Sequence, residues 1–170
     1  WEKVKDFVTK AGTTIFVASV IMWFILNFGP GGYTTDMENS FGAVLGKVIV
    51  PFFIPLGLGY WQIVVALISG IAAKEVVVSS MSVLYGISNI SSDAGMASLS
   101  ALLGTQGFTA VNAYALMIFC LLYVPCIASI AVIRKETGSL KWTAGTVLLQ
   151  LGIAWVCATL FFQVASRFVG

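Results

Sequence analysis

The chain has 170 residues, of which 59% are hydrophobic and only 9% are charged, and its mean hydropathy is +0.98. A soluble domain of this length carries about 25% charged residues, so these totals exclude a water-soluble globular enzyme and a disordered segment. The net charge of +2 is too small for a nucleic-acid-binding surface. The chain contains no histidine, which excludes a Ser-His-Asp triad and histidine-rich zinc sites. The composition therefore predicts an integral membrane protein.

Five apolar segments follow one another along the chain, and none shows the alternation of a β-strand. They cover residues 13–28, 41–58, 61–85, 110–133 and 142–168. Helices satisfy their own backbone groups in lipid, so helix is the expected structure of each segment. The second segment contains Pro51, Pro55 and Gly57 and is therefore irregular. The sequence predicts an all-α integral membrane protein with about five hydrophobic helical segments, some of them broken or re-entrant.

The orientation follows from the basic residues, because loops rich in Lys and Arg stay in the cytoplasm. Basic residues precede the first segment and separate the fourth from the fifth: Lys3, Lys5, Lys10, Arg134, Lys135 and Lys141. The loops over residues 29–40 and 86–109 contain no Lys or Arg. We therefore expect a multi-pass protein with its N-terminus in the cytoplasm and these two loops outside.

This orientation requires an even number of crossings between the two outer loops. The simplest solution is a spanning hairpin made of the second and third segments, with its turn near Gly59 and Tyr60. A re-entrant second segment is the alternative, since its prolines and glycines suit that structure too. In the following outer loop, Ser92 or Asp93 can cap a short interfacial helix over about residues 94–103.

Lys74 and Glu75 lie near the middle of the third segment, where a charged side chain costs about 2.5–3.5 kcal/mol on insertion scales. Such residues normally face protein or a water-filled path. Glu75, Ser79 and Ser82 follow each other at helical spacing and would form one oxygen-bearing stripe. A carboxylate flanked by hydroxyls suits a cation or proton path. The alternative is that Lys74 and Glu75 only pair with neighbouring helices.

Pro125 and Cys126 interrupt the fourth segment. Proline cannot donate its backbone hydrogen bond, so the helix should kink there and free carbonyl oxygens beside Cys126. Ser129 follows at i+3, on nearly the same face. Thiolate, hydroxyl and carbonyl groups together would suit transient contact with a later first-row metal. The alternative is that Cys126 packs as a small hydrophobe, as we expect of Cys120 and Cys157.

Two motifs and three supporting runs resemble the FeoB family of ferrous iron transporters. The motifs are Gly-Ile-Ala-Ala-Lys-Glu-Val-Val at 70–77 and Leu-Tyr-Val-Pro-Cys-Ile-Ala at 122–128, and the supporting runs lie at 11–16, 103–108 and 134–139. Together they follow the family's order over nearly the whole chain. The resemblance is to the C-terminal part of the membrane domain, with the second of two gate regions. Residues 1–170, which start at Trp1 rather than Met, are therefore expected to be one gate domain of a longer chain.

The resemblance implies uptake of Fe2+ across the bacterial cytoplasmic (inner) membrane. It matches Cys126 to the gate cysteine and Glu75 to the intramembrane acidic position, both as transient Fe2+ contacts. Ser79 and Ser129 are further candidates, with Pro125 and Lys74 in structural or gating roles. Some relatives carry another cysteine four residues before the gate cysteine, where this chain has Leu122.

The same resemblance implies that this chain is not an enzyme and binds no cofactor tightly, with Fe2+ as its transported substrate. GTP and Mg2+ would belong to an N-terminal GTPase domain that these residues do not contain. The expected partners are the lipid bilayer, the remaining FeoB domains, including the first gate region, and a further copy of the chain, but no nucleic acid. Two alternatives stay open: a structural or assembly module, and a transporter of another divalent metal or a nucleoside.

Overall fold

The computed structural model describes residues 12–13, 16–17, 20–21, 23–34, 37–71, 76–87, 92–123 and 126–169. These residues are almost entirely helical, which confirms the all-α class. The α-helices are α1 (Phe41–Phe53), α2 (Trp61–Gly70), α3 (Val76–Leu84), α4 (Asp93–Thr105), α5 (Ala110–Leu122), α6 (Ile127–Thr137) and α7 (Leu140–Val169). A small antiparallel pair, β1 (Phe28–Gly29) and β2 (Gly32–Tyr33), follows the helical residues 23–27.

Within the described residues, α7 is the one helix that is long and apolar enough to cross a membrane by itself. Its 29-residue apolar part, Leu140–Phe168, is about 44 Å long, which exceeds the roughly 30 Å of a hydrocarbon core. Leu148, Leu149 and Leu160 on this helix are more than 60% exposed, as side chains that face lipid are. These features identify the chain as part of a membrane protein.

Two further helix pairs pass the same test of length and composition, but each is sharply bent. Phe41–Leu56 and α2 meet at 97°, and α4 and α5 meet at 110°. The bend before α5 follows the predicted outer helix, which begins where expected: the Ser92 hydroxyl accepts a hydrogen bond from the Gly95 N–H at 3.1 Å. The prediction of a capped helix in this loop is therefore confirmed.

The irregular end of α1 is held by side chains from two other helices. The chain leaves α1 through a 3-10 turn, Ile54–Leu56, and reverses at Gly57. Three carbonyls of this region accept side-chain hydrogen bonds, from Trp155 Nε1 to Phe52 at 2.9 Å, from Gln163 Nε2 to Pro55 at 3.3 Å and from Asn112 Nδ2 to Gly57 at 2.6 Å. Non-helical backbone at membrane depth is tolerated only where protein satisfies it. Helices α5 and α7 thus make the prolines of this segment compatible with a membrane.

Replacing Asn112 with Leu should destabilise this turn, because the half-buried Gly57 carbonyl would lose its donor and the Thr109 N–H at the start of α5 would lose its acceptor. We expect a loss of about 1–3 kcal/mol in unfolding free energy, measured by thermal unfolding in detergent. Gln163→Leu is the matched control, since its hydrogen bond is longer and more exposed, and should cost less. Equal losses in the two variants would contradict this account of the turn.

The third apolar segment does not cross the membrane as a single helix. The Tyr60 hydroxyl donates to the Gln106 carbonyl and the Tyr85 hydroxyl to Gln106 Oε1, each at 3.0 Å. A continuous helix over residues 61–85 would hold its ends about 36 Å apart. Because both ends instead reach one residue, α2 and α3 fold back on each other. The predicted spanning hairpin, which turns near Gly59 and Tyr60, is wrong for this segment.

Gly70, the last residue of α2, allows the close approach of α3. A Cβ atom at this position would lie 2.3 Å from Val77 Cγ2 on α3. Only glycine lets α3 return this close to the end of α2. Hydropathy alone cannot distinguish a segment that crosses from one that turns back, which is why it predicts a single span over residues 61–85.

The apolar core lies where α2, α5 and α7 meet the end of α1. Its fully buried members include Leu56, Leu58, Ile63, Val64 and Phe119. Phe53 and Phe119 pack edge to face with their ring centroids 5.3 Å apart. This core packs α5 against α7 and holds α2 against α1, beside the turn at Ile54–Leu56.

Candidate functional site

The breaks that follow α2 and α5 lie next to each other, at the C-terminal ends of these two helices. Ile71 directly follows α2, and Ile127 is the first residue of α6. The Ile127 N–H donates to the Ile71 carbonyl at 3.0 Å. The predicted interruption of the fourth segment is therefore present, because helix stops at Leu122 and resumes at Ile127. Pro125, to which this interruption was attributed, lies outside the described residues.

Tyr123 makes a second connection between the same two breaks. Its side chain is only 4% exposed, and its hydroxyl donates to the Leu67 carbonyl at 3.3 Å. Its ring stacks on Phe119 with centroids 5.4 Å apart. A Cβ atom on Gly70 would lie 2.4 Å from the Tyr123 hydroxyl oxygen. The last turn of α2 and the end of α5 are thus in close contact.

Cys126 lies between these two connections, at the N-cap of α6. Its sulfur is 3.4 Å from the Ser129 hydroxyl oxygen, which places thiol and hydroxyl side by side as the i+3 spacing predicts. Both side chains are partly exposed. Cys126 is therefore near the end of α2 and still accessible to a small ion.

The other predicted site residues are placed less completely. Lys74 and Glu75 lie outside the described residues; in sequence they belong to the connection between Ile71 and α3. Ser79 has an exposed side chain on α3, whereas the neighbouring Ser82 is buried and donates to the Ser79 carbonyl at 2.7 Å. Among the residues that the structure describes, no three His, Cys, Asp or Glu side chains are close enough to hold a metal ion together.

Sequence reasoning did not select Tyr123, Leu67 or Ile71 as part of the site. Leu67 and Ile71 contribute backbone carbonyls, which carry no signal in their residue type. Tyr123 did carry a signal, since a hydroxyl inside an apolar run needs a hydrogen-bond partner. That signal does not identify the partner, so Tyr123 enters the prediction only as part of a motif.

Discontinuous helices that meet within a membrane domain are characteristic of transport proteins, which place substrate sites at such breaks. The family model Gate, described as nucleoside recognition, matches residues 8–140, and the chain belongs to this family. No solved structure matches the chain significantly.

Curated relatives show the same similarity over nearly the whole chain. It is 44% identical to the Fe(2+) transporter FeoB of Staphylococcus aureus (strain MSSA476) over 169 residues, 99% of this chain and 24% of that protein. For the Fe(2+) transporter FeoB of Methanocaldococcus jannaschii the identity is 40%, over 93% of this chain and 23% of that protein. For that of Campylobacter jejuni it is 34%, over 98% and 28%.

The predicted resemblance to FeoB and to its gate region is therefore confirmed. The chain spans about a quarter of the length of these relatives. Each of them is named a transporter, in agreement with the expectation of a non-enzymatic membrane segment.

Proposed function

We propose that this chain is the gate segment of an Fe2+ uptake transporter and that it lines the ion path where the two chain breaks meet. The observation that carries the proposal is the hydrogen bond from the Ile127 N–H to the Ile71 carbonyl. It brings Cys126 close to Ile71, which lies four residues before Glu75 in sequence. The similarity to proteins named Fe(2+) transporters supplies the substrate.

Hydrated Fe2+ must exchange water for protein ligands as it passes a narrow site, and thiolate, carboxylate and carbonyl oxygen can each replace a water. Cys126 and Ser129 supply sulfur and hydroxyl oxygen from the start of α6. Glu75 supplies the negative charge, and Ser79 a further oxygen on α3. The C-terminal end of α2 carries the negative end of its helix dipole, which also favours a cation. A small set of ligands suits an ion that must leave again.

Two residues have supporting roles in this proposal. Lys74 follows the end of α2 in sequence, and we assign it a structural or gating role beside Glu75. Pro125 keeps the fourth segment broken, since it cannot restore the backbone hydrogen bond of a continuous helix.

In this proposal the transporter lies in the bacterial cytoplasmic (inner) membrane as a multi-pass protein, with its N-terminus in the cytoplasm. The α2–α3 reversal adds no crossing, because both of its ends lie on one side, so the even number of crossings that the basic residues require also needs α1 to enter and leave on that side. A complete path draws on partners besides lipid: the other gate region and the GTPase domain of an FeoB protein, with its GTP and Mg2+, or a second copy of this chain. The 170 residues act as one domain of that assembly.

Replacing the proposed ligands in the full-length gene product tests this function. Cys126→Ser and Glu75→Gln should each lower the initial rate of radioactive Fe2+ uptake by roughly tenfold or more, since even outer-shell partners of a metal site are worth 10–100-fold in affinity. Cys157→Ser is the matched control, as Cys157 lies on α7 beside an apolar surface groove, and should transport normally. Wild-type uptake in both ligand variants, at normal membrane levels, would remove these residues from the path.

The competing functions predict different results in the same cells. An assembly module would show reduced membrane levels in Glu75→Gln with unchanged uptake per folded molecule. The family description gives a specific reason to test nucleosides. Uptake of a radioactive nucleoside that requires this protein, without Fe2+ uptake, would contradict the iron proposal.

A further inference from the structure

We infer that the Tyr123 hydroxyl is a positioning group of the proposed site: it fixes the break before α6 against the end of α2, and so determines where Cys126 lies. This inference rests on the proposed function, because Cys126 is taken as an ion contact. Tyr123 acts through this contact and does not itself touch the ion.

The Leu67 carbonyl is available to Tyr123 because α2 tightens at its end. The Ile71 N–H, which would reach Leu67 in a regular helix, donates instead to the Ile68 carbonyl at 3.1 Å. The last carbonyls of a helix need partners from elsewhere. The buried Tyr123, which directly follows α5, supplies that donor through its hydroxyl at 3.3 Å.

The two hydrogen bonds that join the breaks are equally spaced along both chain segments. Tyr123 bonds to Leu67 and Ile127 bonds to Ile71, so four residues separate the contacts on each segment. Cys126 lies inside this pair, three residues after the first donor and one before the second. Two contacts fix the direction of the intervening chain, whereas one contact would let it pivot.

Gly70 makes this arrangement possible, since its missing side chain leaves room for the Tyr123 hydroxyl. A methyl group there would overlap that oxygen, at 2.4 Å from it. The small residue at 70 and the phenol at 123 therefore form one matched contact between the breaks.

The test measures the reactivity of Cys126 in membranes that contain the full-length gene product, with Cys120 and Cys157 replaced by Ser. Tyr123→Phe keeps the ring on Phe119 and removes only the donor. We expect the rate of maleimide labelling at Cys126 to rise roughly 3- to 10-fold, the range that corresponds to losing one ordinary hydrogen bond. The apparent KM for Fe2+ uptake should rise by a similar factor.

Tyr114→Phe is the matched control. Tyr114 is on the same helix, is 59% exposed and packs against Phe161 of α7, at the far end from the breaks. This variant loses the same hydroxyl group without touching α2, so its labelling rate and KM should stay at the wild-type values.

A nearly isosteric second variant protects the test against misfolding. With 3-fluorotyrosine at position 123 the shape is almost kept and the phenol becomes a stronger donor, so labelling of Cys126 should slow. Unchanged labelling with both Tyr123→Phe and 3-fluorotyrosine, or equal changes in the Tyr114→Phe control, would overturn the inference. If labelling responds while Cys126→Ser transports iron normally, the proposed function fails and the positioning contact stands.

Discussion

A cysteine placed at Gly59 should be labelled by a membrane-impermeant maleimide from the same side of the membrane as one at Gly104, and from the opposite side to one at Glu136. All three positions are exposed, and a Cβ atom at Gly59 or Gly104 meets no contact closer than 3.4 Å. The labelling is done in intact cells and in inverted vesicles, with the three cysteines of this chain and any others in the full-length gene product replaced by Ser. Each position should react in one preparation only, which makes this effect all or none.

The reason is the contact of Tyr60 and Tyr85 with Gln106, which places both ends of the α2–α3 hairpin beside the end of α4, where Gly104 lies. Gly104 and Glu136 lie near opposite ends of α7, so the length of this helix separates them. Thr143 of α7 contacts Thr137 through hydroxyls 3.1 Å apart, and Phe161 packs against Tyr114. These two α7 residues are about 27 Å apart, close to the thickness of a hydrocarbon core.

A spanning hairpin makes the opposite prediction. It would place Gly59 in the cytoplasm together with Glu136, so the two would be labelled in the same preparation. That result would show that α2 and α3 cross the membrane after all. The orientation as a whole is tested at the same time, because Glu136 should react only in inverted vesicles.

Gly57→Ala should severely reduce the folded fraction of the protein. Gly57 has φ +73°, a backbone conformation that costs an ordinary L-residue about 1–2 kcal/mol. Its added methyl group would lie 2.2 Å from Cε2 of Phe162, and overpacking typically costs about 1–3 kcal/mol more. The combined loss of about 2–5 kcal/mol is a large part of the stability of most domains. Thermal unfolding in detergent and the yield of monodisperse protein measure it.

Gly59→Ala provides the control two residues away, because its Cβ would meet only Ile54 at an ordinary 3.4 Å. It should leave stability nearly unchanged. Adding Phe162→Leu to Gly57→Ala should recover part of the loss, since it relieves the overlap but not the backbone strain. Full recovery in the double variant would show that φ at position 57 contributes nothing.

The sequence predicted the class and the capped outer helix, because hydropathy and capping are local properties. The break before α6 and the closeness of Cys126 to Ser129 were also predicted, since proline chemistry and helical spacing both act within a few residues. Tyr123 belongs to one of the sequence motifs, but its partner Leu67 is far away in sequence, and such a distant contact could not be predicted from local patterns.

The reversal of α2 and α3 was not predictable in this way. It depends on how closely Val77 and Tyr123 approach Gly70, which are contacts between separate elements. An apolar run of 25 residues satisfies the length rule for a span equally well whether it crosses or returns. The backbone partners of the site, Leu67 and Ile71, are likewise set by the fold alone.

The α2–α3 hairpin also has a consequence for how the protein is assembled. Since it enters and leaves on one side, its insertion changes the position of no loop and inverts no later helix. The flanking segments can therefore be threaded through the bilayer first, with the hairpin added afterwards into a frame that already has its final topology. A variant whose hairpin does not pack into this frame should keep every loop on its wild-type side, while the proposed ion path at the two breaks stays incomplete.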